Sequence, residues 1–218
     1  MIKSYDELSI KKYRELIGLE KVDGEDMEYG IEILSILTDI DQDTLMEMPL
    51  EKFTKYMSYT RFLYEPVMKK DYKELGKTIR IGDEEYRMVQ SARELTAGQY
   101  IDYKAYISRD NFLEMLPYIL TVFLIPKGKK YNNGYDILEL KEKFDNEVDI
   151  PTALSISDFF LHQSKLSMLS SVTYLKWKVK RMVKTEKNPE LREKMTECLE
   201  QMSSLEGLLR VSDGYILP

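Results

Sequence analysis

The chain holds one histidine, His162, and one cysteine, Cys198, against 38 carboxylates. A Ser-His-Asp or Cys-His arrangement would have to use His162. No serine or aspartate stands at a spacing that singles it out as partner. His162 lies in "FFLHQSK", an apolar-rich helical stretch, where a packed and hydrogen-bonded imidazole is expected rather than a general base. A zinc site of the Cys/His type would lack ligands. One cysteine forms no intramolecular disulfide, so nothing implies an oxidising compartment. Paired acids could do acid–base work, but the acids are spread along the chain and no spacing isolates two of them. The sequence therefore names no catalytic residue, no metal ligand and no cofactor.

Two stretches could instead bind. The first is "IPKGKKYNNGYD", residues 125–136. A phosphate-binding loop needs G-x-x-x-x-G-K-[ST] between a strand and a helix, so that backbone amides cradle the phosphates. Here "PKGKK" has one glycine, no Ser or Thr after the lysine, and a helical approach. The expectation is a solvated helix-to-helix connection, with Pro126 ending the apolar run and Asn132-Asn133-Gly134 making a tight turn. Any binding role would fall to Lys127, Lys129, Lys130 and Tyr131, as a contact with a protein partner or nucleic acid.

The second stretch is "KWKVKRMVK", with Lys176, Trp177, Lys178, Lys180, Arg181 and Lys184. Residues 159–185 contain no acid at all. On a helix the alternating lysines fan over more than one face, and Trp177 could stack on bases while they meet phosphates. The sequence pI near 5.1 speaks against an autonomous nucleic-acid binder. The favoured reading is a helix C-terminus matched to its macrodipole and answering the acidic first half. A docking face for an acidic protein partner comes next, then nucleic acid.

The elements that must carry these residues follow from composition and period. The 218 residues are 43% hydrophobic and 32% charged, enough for a core beneath a heavily charged surface. Ten glycines and seven prolines are too few for a many-turned β-sandwich and suit long helices. Residues 1–150 carry a net charge of −8, whereas 151–218 carry +2. The N-terminal "MIKSYDELSIKKY" lacks the apolar core of a secretory signal. "NFLEMLPYILTVFLI" contains Glu114 and Pro117 and falls short of the about 20 residues that a bilayer requires. A cytoplasm-like setting without a membrane is expected. The 16 tyrosines and 12 methionines suit interfaces, and suit an ordinary helical core more often.

Helical periodicity predicts a helix within 4–18, capped by Ser4 or Ser9, with Ile10, Tyr13, Leu16 and Ile17 on one face. A second follows at 26–40, with a stripe of Ile33, Ile36, Leu37 and Ile40, and shorter helices continue to about residue 64. "KTIRIGDEEYRMVQ" (77–90) alternates around Gly82-Asp83 and reads as a β-hairpin. Thr96 should cap a helix with Tyr100, Ile101, Tyr103 and Ile107 as its apolar side chains. Ser108 can cap the next helix, which Pro117 should kink or divide, and 118–125 should be the most buried segment. Asp136 can cap the helix after the loop. A long helix from about 155 to 184 and a second opening at Asn188-Pro189, with Leu191, Met195, Leu199, Met202, Leu205 and Leu209 on one face, should form an antiparallel hairpin. The fold class is thus mainly α: an acidic helical region with one β-hairpin (1–150) and a C-terminal helical hairpin (151–218), read as one continuous domain.

"IRIGDEEYRMVQSARELTAGQYIDYKAYI" resembles small assembly proteins of tailed bacteriophages, which carry a hairpin of the I-x-I-G-x-x-x-Y kind before a threonine-capped helix. "LIPKGKKYNNGYDILEL" and "ISDFFLHQSKL" are similar to segments encoded near the virion structural genes, especially in phages of Bacteroides-like hosts. The resemblance covers residues 75–180. Tail-assembly chaperones are the nearest named group. They are usually shorter and carry no catalytic residues, and the N-terminal helices and C-terminal hairpin here depart from their pattern. The resemblance implies a non-enzymatic assembly or virion structural protein, at work in the host cytoplasm during assembly or in the virion. Its partners would be other phage proteins or a second copy of itself. Two alternatives stay open: a packaged protein that contacts nucleic acid, and an enzyme using carboxylates or His162.

Overall fold

Ser9 is extended, and its hydroxyl accepts from the Lys12 N–H to open α1, Ile10–Ile17. Ser4 instead precedes a separate 3-10 turn, Tyr5–Glu7, and makes no side-chain cap. The computed structural model describes residues 1–20, 26–72 and 74–211, without the side chains of Ser167, Leu209, Arg210 and Val211. Helix α1 buries Ile10 and Leu16 but leaves Ile17 exposed. Its inner edge is partly ionic: Arg14 forks onto Asp145 at 3.2 and 2.8 Å.

In α2, Asp26–Thr38, the inward residues are Ile31, Ile33, Leu34 and Leu37. Ile36 is only half-buried, and Ile40 lies beyond the helix end, so the expected stripe is rotated. Gly30 is buried on the same face as Leu34 and Leu37. It faces α4, where a Cβ would lie 3.4 Å from Met57 and 3.5 Å from Phe53, in ordinary van der Waals contact. Ile31, Leu34, Leu45 and Phe53 form one cluster across α2, α3 (Gln42–Met46) and α4 (Leu50–Ser58). Asp41 caps α3 through the Thr44 N–H at 2.8 Å. The helix expected up to Tyr64 tightens after Ser58 into a 3-10 segment, Tyr59–Tyr64.

The hairpin forms where alternation predicted it. β1 (Thr78–Ile81) pairs antiparallel with β2 (Glu84–Met88), with Ile81 opposite Glu84 and Gly82 at φ +55° in the turn. A third strand was not legible. Helix α6 (Phe112–Phe123) gives way to β3 (Leu124–Pro126), which pairs antiparallel with β2, Met88 opposite Leu124 and Tyr86 opposite Pro126. An apolar run looks the same as helix or strand, and here the buried edge of β2 demands backbone partners.

Thr96 and Gln99 cap α5 (Ala97–Ile107) reciprocally, a capping box. Gln99 also donates to the buried Val122 carbonyl at 2.7 Å. Gln99 and Tyr103 therefore define the inner face of α5, while Tyr100 and Ile101 point outward at 50% and 64% exposure. Asn111, not Ser108, caps α6; Ser108 ends α5. Pro117 sits inside α6 without dividing it. Its missing N–H removes one bond, to the carbonyl of half-buried Leu113.

Asp136 caps α7 (Ile137–Glu147) through the N–H groups of Leu138 and Glu139. α8 spans Ile150–Thr185, beginning before the expected residue 155 because Asp149 caps it through the Thr152 N–H. α9 spans Pro189–Val211 behind an Asn188 cap. The fold is mainly α with a small three-stranded sheet and C-terminal helices.

The chain divides into two compact units, Met1–Phe159 and Phe160–Pro218. The start of α8 belongs with the first core: Ile150, Ala153, Leu154 and Ile156 are buried. That core centres on α6 and β3, where Leu116, Ile119, Leu120, Val122, Phe123 and Leu124 are inaccessible to solvent. Tyr103 meets Phe123 edge-on at 5.2 Å, and Tyr86 meets Phe144 at 5.1 Å. At the chain's beginning, Ile10 N–H bonds to the Val148 carbonyl and Ile150 N–H to that of Leu8. Lys70 joins Asp149 at 2.8 Å and Asp6 at 3.1 Å.

Candidate protein-contact surfaces

The loop after β3 is tightly tied down. Lys127 extends the sheet by one bond, its N–H donating to the Glu85 carbonyl at 2.9 Å, and its amine pairs with the Glu85 carboxylate. Gly128, Asn132 and Gly134 take positive φ, which turns the chain back toward α7. Tyr131 is half-buried and donates to Asp102 of α5 at 2.7 Å. Burial, then that carboxylate, holds its phenol protonated well beyond the ordinary tyrosine range. Tyr131 thus anchors the loop to α5, with its polar tip engaged by Asp102. Lys130 is exposed.

Lys127 and Lys129 line an open groove of about 690 Å³ with Glu84 and Glu85 of β2 and Glu139 and Lys143 of α7. Its charges alternate in sign. Lys143 pairs with Glu84 at 3.0 Å. Glu84 is held below the usual carboxylate range by a hydrogen bond from Tyr86, then by Lys143; Glu85 is lowered by Lys127. A polyphosphate entering here would meet the carboxylates already paired with Lys127 and Lys143. The groove suits a polar polypeptide surface of mixed charge better than a nucleotide.

The basic segment separates into parts. Lys176 is half-buried and pairs with Glu206 of α9 at 2.6 Å, so it ties the two helices together and is not on the outer surface. Trp177 is 52% exposed, with the Arg181 guanidinium 4.9 Å from its ring and Tyr174 stacked at 6.0 Å. Lys178, Lys180 and Lys184 are exposed. Only Lys184 lies in the last turn of α8, so the macrodipole does not account for Lys178 or Lys180.

The sequence reading passed over the apolar side of this helix. Leu166, Leu169, Ser170, Thr173, Tyr174 and Trp177 line a shallow hollow of about 560 Å³, all contributed by α8. Their spacing of three and four residues was the available signal. Lys176, Lys178 and Lys180, interleaved among the apolar residues, break up that spacing in the sequence.

His162 is exposed, not packed. Among the described side chains of the second unit only Phe160 is buried, so no core there encloses the imidazole. Cys198 is half-buried. Among the described residues, no group of three or more His, Cys, Asp or Glu could hold a metal ion, and no helix is long and apolar enough to cross a membrane. No protein-family model matches the chain, and no curated protein or solved structure matches it either.

Proposed function

We propose that this chain is a non-enzymatic bacteriophage protein that binds other proteins during virion assembly, as a tail-assembly chaperone or a structural part of the head–tail machinery. The binding half of this reading is carried by α8. There Leu166, Tyr174 and Trp177 stand about half exposed beside Lys178, Lys180 and Arg181. Aromatic and arginine side chains at an apolar patch are the composition of protein interfaces. The phage half rests on the sequence resemblance over 75–180. Its partners would be other phage structural or assembly proteins, met in the host cytoplasm or in the virion.

The test is purification of the tagged full chain from infected cells after cross-linking, with mass identification of what accompanies it. Virion structural or assembly proteins should be enriched over a tag control. They should be lost when Lys178, Lys180 and Arg181 are changed to Glu. Recovery of host proteins alone, or of phage proteins indifferent to those changes, would overturn the reading.

One observation favours the nucleic-acid alternative: the exposed Trp177 ring carries the Arg181 guanidinium over it at 4.9 Å, with exposed Lys178 next in sequence. Against it stand the net charge of −6 and the acids of α9. Filter binding over a salt series separates the two, since phosphate contacts give a steep fall of affinity with salt.

A further inference from the structure

Within the second unit, half-buried positions recur with alternating steps of three and four. On α8 they are Leu169, Val172, Lys176, Val179 and Val183; on α9 they are Met195, Leu199, Met202 and Glu206. The Lys176–Glu206 ion pair joins the two stripes. This is the heptad spacing of a two-helix seam. A seam between two helices needs only that narrow stripe.

α8 is apolar well beyond it. Leu166, Tyr174 and Trp177 lie on one flank, at 50, 58 and 52% exposure. Met168, Leu175 and Met182 lie on the other, at 46, 44 and 45%. An apolar arc this wide belongs to a helix with neighbours on more than one side, as in a four-helix bundle.

The charges say what the neighbour is. The exposed Lys178, Lys180 and Lys184 occupy the C-terminal turns of α8. The exposed Glu193, Glu197 and Glu200 stand on the N-terminal half of α9, three and four residues apart. None of these six takes part in an ion pair among the described residues. Both sets flank the same short connection, Glu186 to Asn188. The unit is therefore complementary to itself when two copies lie side by side with their connections at one end. A two-fold axis along the bundle then sets α8 of each copy beside α9 of the other, basic turns against acidic turns, in an isologous interface.

We propose that two copies of this chain associate through α8 and α9 into a four-helix bundle, with the Leu166–Tyr174–Trp177 flank buried between them. The inference gives to a second copy the α8 flank on which the proposed function rests: a monomer would end it and leave that flank to the partner experiment, whereas a dimer that still recovers phage proteins would keep both.

Sedimentation equilibrium of the full chain from about 1 to 100 μM tests it. The expected mass is twice the 25.7 kDa of one chain. Changing Tyr174 and Trp177 together to Glu should weaken association about 100-fold or more, with the far-ultraviolet circular dichroism kept. Two charge-reversed chains decide the geometry. One carries Lys178→Glu, Lys180→Glu and Lys184→Glu; the other carries Glu193→Lys, Glu197→Lys and Glu200→Lys. Each alone should dissociate, and an equimolar mixture should restore a dimer containing one of each. A monomer at the highest concentration, a dimer indifferent to the Tyr174/Trp177 change, or failure of the mixed pair to form would overturn the proposal.

Discussion

The first unit and the second differ in where their apolar residues end up. In the first, residues 119–125 of α6 and β3 are buried without a break, and Leu116, Ile119, Val122 and Phe123 are wholly out of solvent. In the second, only Phe160 among the described side chains is buried, although its helices are as rich in Leu, Met and Val. Equal apolar content therefore does not make equal cores. A sheet flanked by helices can enclose a segment from all sides. Two helices bury one stripe each and leave the rest for another molecule.

The contrast breaks most visibly by truncation. Phe123→Ala should cost about 4 kcal/mol, because it removes a fully buried ring and its edge contact with Tyr103. Val179→Ala, on the half-buried seam of α8, should cost under about 1 kcal/mol. Urea denaturation followed by circular dichroism reads both. Similar costs would mean that the second unit has a core of its own.

Next in size is the ionic edge of the first core. Arg14→Ala leaves the Asp145 carboxylate, 6% exposed, with Lys141 at 3.6 Å as its one cation among the described residues. A loss of about 2 kcal/mol is expected, less than for a fully buried pair because Arg14 is 30% exposed. Arg14→Met, which restores bulk without charge, should not rescue it.

Smaller still, and opposite in sign, is Tyr103→Phe. The Tyr103 hydroxyl is buried with no hydrogen-bond partner among the described residues. Removing it relieves a desolvation cost and should raise stability by about 1 kcal/mol, read as an upward shift of the thermal midpoint. A fall would mean that the hydroxyl is satisfied in solution.

Much of this was legible in the sequence, where local chemistry decides the outcome. Ser9, Thr96, Asp136 and Asn188 cap helices because their side chains reach N–H groups two or three residues on. Gly82-Asp83 made its hairpin for the same reason. What escaped notice depends on distant neighbours. The change from helix to strand at Leu124 is set by β2, some 36 residues earlier by the Met88–Leu124 pairing. The inward face of α2 is the one that meets Leu45 and Phe53 of α3 and α4, through Ile31 and Leu34. At the candidate surfaces, Lys176 and Tyr131 read as free contacts from composition, yet each is claimed by an acid far along the chain, Glu206 and Asp102. Lys178, Lys180 and Lys130 are exposed and carry no such distant ion pair among the described residues.

The smallest effect lies on the rim of the groove, where the first unit's surface should behave as loosely as the second unit's. Glu85 is fully exposed, and its carboxyl is lowered by the Lys127 amine. A carboxyl that is lowered in the fold adds stability above its unfolded value, near 4.3, and that contribution is lost as pH falls through the lowered one. Glu84 follows the same sign, through Tyr86 first and Lys143 second. Carboxyl-carbon titration by NMR should therefore give both midpoints below the ordinary glutamate value. Lys127→Ala should return Glu85 upward and leave Glu84 in place, because Glu84 answers to a different pair of donors. The denaturation midpoint at neutral pH should not move measurably, since an exposed pair is screened by water and salt. If Lys127→Ala instead shifts both carboxyls together, the rim is one coupled network, and the groove is a more rigid site than its separate ion pairs imply.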